Sequence, residues 1–365
     1  MRTPGTLQRY PKGVLDMHQE KVVSLNPEDR LIKSCLGEEV DRPPVWLMRQ
    51  AGRYLPEYRE VRKEVTFLEL CRDVDRAVTV SLQPIDLVGS EAVILFQDIF
   101  TPVPGMGMAL DFAPGPVMEN PIRSLADVER LCVPDSRDSV PFVFEIIRVL
   151  RRELASRKIP LLGFAGAPFT LAAYMVEGRG SKDFALLKRM LHREPDILRA
   201  LLRKLTDMTV DYLEAQIEAG AQVVQIFDTW AGLLSVDLYR EWVLPIHQEI
   251  AKRIQHGKAP LILYVNNGAH VVAEMAESGA DVISLDWRAS LGDAASHFGQ
   301  QVSLQGNLDP TALAAPEEEI ASMVHRLAEE GSAARGHIMN LGHGCLPDTP
   351  VAGVRAFIEA VQSLA

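Results

Sequence analysis

The sequence predicts an α/β fold, a single (β/α)8 TIM barrel, on three observations. Eight short apolar runs recur along the 365 residues, and each ends in polar or glycine residues. Amphipathic stretches with apolar residues at three- and four-residue intervals lie between them. The runs are apolar throughout, as expected of parallel strands whose outer face is covered by helices.

The runs are "PVWLMRQ" from Pro44, "AVILFQD" from Ala92, "PLLGFAG" from Pro160, "QVVQIFD" from Gln222, "PLILYVN" from Pro260, "DVISLDW" from Asp281, "QVSLQGN" from Gln301 and "HIMNLGHG" from His337. The alternation is clearest from Pro260 to Pro310, where strand, helix, "SGA" turn, strand, helix and strand follow at short spacing. Before Gln222, "EPDILRALLRKLTDMTVDYLEAQIEAGA" keeps helical spacing until a glycine, which can cap a helix in a left-handed conformation at no steric cost. A doubly wound open sheet is the rival arrangement. No GxGxxG follows the first run, and "GFAGAPFT" lacks the lysine of a phosphate loop. Residues 1–24 are polar and carry no motif, so they read as an N-terminal arm, either mobile or a packing strap, and residues 25–365 as one barrel domain.

Composition narrows the class of function. A net charge of -11 with no basic run argues against nucleic acid, since phosphate contacts need concentrated lysine and arginine. No run reaches the roughly 18 apolar residues of a membrane span, and the start lacks a signal-peptide apolar region, so a cytoplasmic protein is expected. Cys35, Cys71, Cys132 and Cys345 have no CxxC spacing, which fits a reducing compartment and free thiols.

In a (β/α)8 barrel the active site lies at the C-terminal ends of the strands, so the polar residues ending each run are the candidates. They are Arg49, Gln50 and Arg53; Asp98; Tyr174 a little beyond the third run; Asp228 and Thr229; Asn266 and Asn267; Asp286; Asn307 and Asp309; and His343. If the chain turns helical after the first run, Arg49 and Arg53 share one helical face and can clamp carboxylates through their planar guanidinium forks. They could equally pair with Asp41, Glu57 or Glu60. Asp98 is the sole charge in "AVILFQDIFTPV", and a buried carboxylate needs donors or a cation, or else serves to cap backbone amides. His343 stands between two glycines, as a catalyst or as a satisfied structural histidine. Tyr174 has the spacing of a core residue, and Thr229 could cap the next helix. His343 and Cys345 have an H-x-C spacing, but no later cysteine or histidine offers the third ligand that zinc requires, so no metal is expected.

With these motifs in order, the chain resembles the uroporphyrinogen decarboxylases. "PVWLMRQAGRYLPEYRE" and "GFAGAPFTLAAYMVEG" are that family's signatures, and "LFQDI", "QIFDTWAG", "LQGNLDP" and "NLGHG" follow the expected sequence from Leu25 onward. The resemblance implies a homodimeric barrel without cofactor that removes the four acetate carboxyls of uroporphyrinogen III as CO2, giving coproporphyrinogen III for haem and chlorophyll. It implies substrate contacts at Arg49, Gln50, Ala51, Gly52, Arg53, Asp98, Tyr174, Thr229 and His343, with Asp98 and Arg49 catalytic. The proton donor stays open among Arg49, His343 and Tyr174. Thr229 departs from the serine found in many members, keeping the hydroxyl and adding a methyl. Two rivals stand beside this reading: a zinc- or corrinoid-linked methyltransferase on the same scaffold, and a noncatalytic tetrapyrrole carrier.

Overall fold

The computed structural model of the chain describes residues 24–112, 115–254 and 259–364. Residues 1–23 of the expected arm lie outside the described residues.

Nine strands occur among the described residues: β1 (Val93–Ile94), β2 (Leu110–Phe112), β3 (Pro116–Met118), β4 (Leu161–Gly166), β5 (Val223–Asp228), β6 (Leu261–Val265), β7 (Val282–Ser284), β8 (Ser303–Gln305) and β9 (His337–Ile338). Seven form one parallel sheet in the order β1-β4-β5-β6-β7-β8-β9, while β2 and β3 make a separate antiparallel ribbon. The seven correspond to the last seven apolar runs. The first run is not a regular strand. It makes an isolated parallel bridge, Val45 to Met339, with Trp46 N–H donating to Met339 O at 3.3 Å and Met339 N–H to Pro44 O at 2.9 Å. On its other side Glu91 N–H donates to Val45 O at 3.1 Å. The segment therefore occupies the eighth position and closes the barrel between β9 and β1. Its ladder is short because the N–H groups of Val45, Leu47 and Met48 go to the side chains of Glu91, Gln50 and Asn340, and the chain leaves the sheet after Met48.

Alternation along each strand sorts side chains between the barrel interior and the helices. Trp46, Leu162, Val223, Ile262, Val282 and Ile338 pack together inside. Val224, Ile226, Leu263, Ile283 and Leu304 join the larger core under the helices. Each such fully buried aliphatic side chain stabilises the fold by about 1.5–3 kcal/mol. Higher in the interior the strands carry polar residues that satisfy one another. Trp46 Nε1 donates to Gln305 Oε1 at 3.0 Å, and Gln305 Nε2 donates to Gln225 Oε1 at 3.2 Å and Ser284 Oγ at 2.9 Å. The helix Pro195–Ala219 is pinned to β4 by Gln216, which accepts from Phe164 N–H at 2.9 Å and donates to Phe164 O at 2.8 Å.

The N-terminal end of the barrel is plugged by the helix Pro27–Leu36. Asn26 caps it by accepting from Asp29 N–H, Pro27 starts it with a preset φ, and Gly37 ends it at φ 73. Its Leu31 and Cys35 enter the interior cluster. Arg30 on this helix meets Asp41 at 2.7 Å and Glu91 at 3.2 Å, and Arg42 also pairs with Glu91. These buried ion pairs stitch the closing segment to β1.

Candidate active site

The first run ends in a turn, not a helix. Arg49 has φ 58, and helix resumes only at Pro56–Glu64. The shared helical face expected for Arg49 and Arg53 is thus absent, and the two belong to one tight turn. A Cβ on Gly52 would stand 2.9 Å from Arg49 O, so the turn closes only around a glycine. Gln50 holds the turn down from below. Its Oε1 accepts from Leu47 N–H at 3.1 Å and Ser90 Oγ at 2.7 Å, and its Nε2 donates to Ala92 O at 2.8 Å. The amide is thereby committed to the scaffold, and only backbone at Gln50 is left for a ligand. Ala51 and Gly52 are partly buried, and Arg53 is exposed.

Neither arginine's guanidinium makes a hydrogen bond or ion pair among the described residues. Two of the three alternative partners are engaged elsewhere, Asp41 with Arg30 and Glu60 with Lys63 at 2.6 Å, and the third, Glu57, pairs with neither arginine. Arg49 is exposed, and its side-chain stem lies in the space that a Cβ on Gly344 would fill.

Asp98 follows β1 on the loop to the 3-10 turn Val103–Met106. One oxygen caps the loop, accepting Phe100 N–H at 2.9 Å, so part of the capping expectation holds. The other oxygen has no hydrogen bond among the described residues. Burial pushes the carboxyl up to about 6, against the opposing pull of the Phe100 amide and the Arg49 charge. Asp98 and Arg49 both act on the Tyr174 hydroxyl, so the three share one electrostatic neighbourhood.

Tyr174 lies near the end of the helix Pro168–Glu177, as its spacing implied. Its ring meets Phe100 at 4.8 Å, Phe184 at 5.4 Å and Trp230 at 6.3 Å. Its hydroxyl is held protonated, chiefly by burial. The indole of Trp230 neighbours that hydroxyl, yet its N–H reaches no acceptor in hydrogen-bond geometry among the described residues.

Thr229 occupies the turn after β5, partly buried, and caps no helix among the described residues. Beneath it runs a buried polar chain. Asp228 accepts from Thr170 Oγ1 at 2.6 Å and lies 2.9 Å from His247 Nε2, whose Nδ1 is 3.1 Å from Tyr239 O–H. Thr170 also accepts Trp230 N–H at 3.1 Å. With Nε2 donating to Asp228 and Nδ1 accepting from Tyr239, every member of the chain is satisfied. The chain ties the turn carrying Thr229 to the helix carrying Tyr174, so Asp228 is a brace. Asp286 is another, accepting Gly268 N–H at 2.9 Å and Arg288 N–H at 2.7 Å. Asn307 donates to Asp286 O and Ala289 O.

His343 stacks between Tyr264, at 6.0 Å and 16°, and Trp287, at 6.3 Å and 15°. Its flanking glycines serve close approach: a Cβ on Gly342 would overlap Trp287 N, and one on Gly344 the Arg49 stem. Burial, with the Arg49 and Arg288 charges, pushes the imidazole down to about 4, so it is neutral at pH 7. Tyr264 O–H stands 3.0 Å from Gly342 O and 3.2 Å from His343 Nδ1. If it donates to Nδ1, Nε2–H is left as a donor; if it donates to Gly342, Nε2 is an acceptor.

Sequence reasoning missed the aromatic wall to which this stack belongs. Phe164 meets Phe227 at 5.6 Å and Phe227 meets Tyr264 at 5.9 Å, continuing through His343 to Trp287. The signal was present in the strand period, since Val223, Gln225 and Phe227 share one face, as do Ile262 and Tyr264. A separate cavity of about 300 Å³ adjoins Asp98, lined by Leu68, Cys71, Leu110, Phe112 and Ser139 among others. It shares only Asp98 with the candidate residues. Among the described residues no three histidine, cysteine or acidic groups converge as a metal would need. Cys345 is buried, with its thiol pushed up to about 12 by that burial.

With the geometry established, comparison with known proteins places the chain. Residues 26–364 match the Uroporphyrinogen decarboxylase (URO-D) family. A uroporphyrinogen decarboxylase of Pelobacter propionicus is 53% identical over 92% of this chain and 98% of its own length. One from Geobacter sulfurreducens is 50% identical over the same shares. Among solved structures, a methyltransferase from Methanosarcina mazei superposes with a TM-score of 0.79 at 24% identity, covering 93% of this chain and 99% of its own, which speaks to the fold alone. With a family match over residues 26–364 and half or more of its residues shared with these enzymes along nearly their whole length, the chain belongs to the uroporphyrinogen decarboxylase family.

Proposed function

We propose that the chain converts uroporphyrinogen III to coproporphyrinogen III by releasing its four acetate carboxyls as CO2, with no external cofactor, as a cytoplasmic homodimer. The carrying observation is Asp98: a partly buried carboxylate with one oxygen that makes no hydrogen bond among the described residues, in the field of Arg49, whose guanidinium has no partner among them either. Family membership at 53% identity over nearly the whole chain supports the same reaction.

The substrate carries eight peripheral carboxylates around four pyrrole N–H groups. Arg49 and Arg53 bind and orient carboxylates through charge-assisted hydrogen bonds. The net charge of -11 disfavours other anions elsewhere on the surface. Phe227, partly exposed and backed by the buried rings of Phe164 and Tyr264, gives the pyrroles an apolar wall. Tyr174, Thr229 and a neutral His343 offer hydrogen bonds at its edge.

In each decarboxylation a proton adds to a pyrrole ring carbon and makes the ring a cation. The bond to the carboxylate breaks, its electron pair enters that cation, and CO2 leaves. The methylene then takes a proton and the ring carbon gives its own back, so one proton replaces one CO2. Asp98 accepts from the pyrrole N–H groups and stabilises the positive ring, and an electrostatic contact of this kind is worth about 3–4 kcal/mol. Arg49 is a poor proton donor, since an arginine holds its proton above about pH 12. Arg49 binds and polarises instead, and His343 or Tyr174 relays the proton.

The test is to incubate the protein with uroporphyrinogen without oxygen or added cofactor and count the carboxyls on the product. Four lost carboxyls per macrocycle sustain the proposal; binding without CO2 release indicates a carrier. Stoichiometric zinc in the purified protein, with methyl transfer in place of CO2 release, indicates the methyltransferase reading. Sedimentation at micromolar concentration checks the dimer.

A further inference from the structure

We propose that Arg288 is a third carboxylate anchor at the barrel mouth, holding a peripheral carboxylate of the macrocycle on the β7 side. The inference rests on the uroporphyrinogen reading above. It begins with a mismatch of charge, because eight carboxylates face two arginines in the turn after the first run, and the neutral His343 adds no cation.

Arg288 stands on the loop that leaves β7, at the same end of the barrel as Asp98 and Thr229. Its guanidinium lies 3.8 Å over the Trp287 ring, and that ring stacks on His343. The cation is thereby held against an aromatic face, a contact guanidinium groups favour. Its side chain is 45% exposed. Its nearest carboxylate, Asp286, is 3.7 Å away, beyond hydrogen-bond reach, and that carboxylate already accepts the backbone N–H groups of Gly268 and Arg288 itself. Among the described residues, none of the guanidinium N–H groups makes a hydrogen bond. Arg288 is therefore preorganised with its donors unused.

The position relative to Arg49 follows from the glycines around His343. Gly344 lies against the Arg49 stem and Gly342 against the Trp287 backbone, so the His343 segment separates the two cations. Both charges act on the same imidazole. A macrocycle lying over His343 would present different pyrrole edges to Arg49 and to Arg288, and two separated forks fix rotation of a ring as well as its attachment. Lysine would supply the charge without the fork or the stacked plane.

The experiment uses the full chain and the variants R288Q and R288K, with thermal melts to establish that each is folded. In the anaerobic assay R288Q should raise KM for uroporphyrinogen by roughly tenfold while kcat falls less than about threefold, the size expected of one partly exposed charge-assisted hydrogen bond. R288K should recover part of the loss, and KM should rise less steeply with salt in R288Q than in the unaltered protein. Unchanged KM in R288Q overturns the proposal. So does a fall in kcat with KM unchanged, which would mean that Arg288 only steadies Trp287 and His343. Fluorescence titration with the oxidised macrocycle uroporphyrin separates this proposal from the reaction itself. If the unaltered protein releases no CO2 yet binds uroporphyrin more tightly than R288Q does, the anchor stands and the decarboxylase reading falls; equal binding removes the anchor.

Discussion

The two ends of the barrel use arginine in opposite ways. At the closed end Arg30 and Arg42 are buried, and Asp41 and Glu91 take up their charge. At the open end Arg49 and Arg53 have no carboxylate among the described residues, and Arg288 has one it cannot hydrogen-bond. Residue type alone does not separate the two groups, since every one of these residues is an arginine on or beside the barrel's first segment, the loop after β7 or the plugging helix. The partners separate them. A cation whose donors are taken by the fold contributes to stability, and one left without partners in an acidic protein is available to an anionic ligand.

The sharpest way to break this contrast is to neutralise one arginine from each end. Arg30→Gln leaves Asp41 and Glu91 buried with one cation fewer, which should cost about 3 kcal/mol or more of folding stability. A urea melt reads this, and catalysis by whatever remains folded should be near normal. Arg49→Gln should leave the melt within about 0.5 kcal/mol, the usual range for a site without structural partners. Equal destabilisation by both would erase the distinction.

Next in size is Asp98. Asp98→Ala should lower turnover at least about a hundredfold with little change in the melt, the loss expected for one preorganised electrostatic contact. Near-normal turnover in a folded variant that binds substrate refutes its role. Asp98 also forms a pair with Asp41 that sharpens the comparison through pH. Hydrogen bonding to Arg30, foremost, holds the Asp41 carboxyl down at about 2 from its ordinary 3.8. That depressed group adds stability which is present above about pH 4 and lost as pH falls toward 2. Burial raises Asp98 from 3.8 to about 6. The folded protein therefore holds this proton more tightly than the unfolded chain, and stability from this group declines as pH rises from about 4 through 6. Asp98→Asn should accordingly melt slightly higher than the unaltered protein at pH 7 but not at pH 4, while remaining inactive. If the ionised carboxylate is the working form, kcat/KM of the unaltered enzyme falls below about pH 6, in step with its titration.

Much of this was legible in the sequence, and the reasons differ by residue. The last seven runs became strands because each carries continuous apolar residues for a two-sided core. "PVWLMRQ" looked equally apolar but paired at a single bridge, because the N–H groups of Val45, Leu47 and Met48 go to the side chains of Glu91, Gln50 and Asn340. Asp98 was conspicuous as a lone charge in an apolar run; the structure shows one of its oxygens capping Phe100 N–H, a contact two residues along the chain. Arg49 and Arg53 were legible as a pair but not as a turn, since the positive φ of Arg49 has no signature in a side chain that usually avoids it. Gln50 was legible only as a neighbour of theirs; its commitment to Ser90 and Ala92 depends on contacts 40 and 42 residues away. The aromatic wall was hidden for a different reason. Phe227 and Tyr264 read as ordinary core until strand parity assigns them the same inward face as Gln225, and the deciding contacts are made across strands.

The smallest expected effect probes the boundary between the two kinds of polar group. Asp228 sits at the open end of β5 beside Thr229, yet its partners are all internal: Thr170, and His247 backed by Tyr239. By the rule that satisfied groups stabilise and unsatisfied ones bind, this chain belongs with the closed end despite its position. Tyr239→Phe removes one donor to His247 Nδ1 while keeping the ring that packs there, so it should cost about 1 kcal/mol in a melt. Its effect on KM should be negligible, because the hydroxyl is remote from substrate, and kcat should fall by no more than about twofold through a looser Thr229 turn. A loss of turnover approaching that of Asp98→Ala, without a matching loss of stability, would show that burial and satisfied hydrogen bonds do not exclude a residue from the chemistry here, and position along the barrel would then outrank partnership as the guide to function.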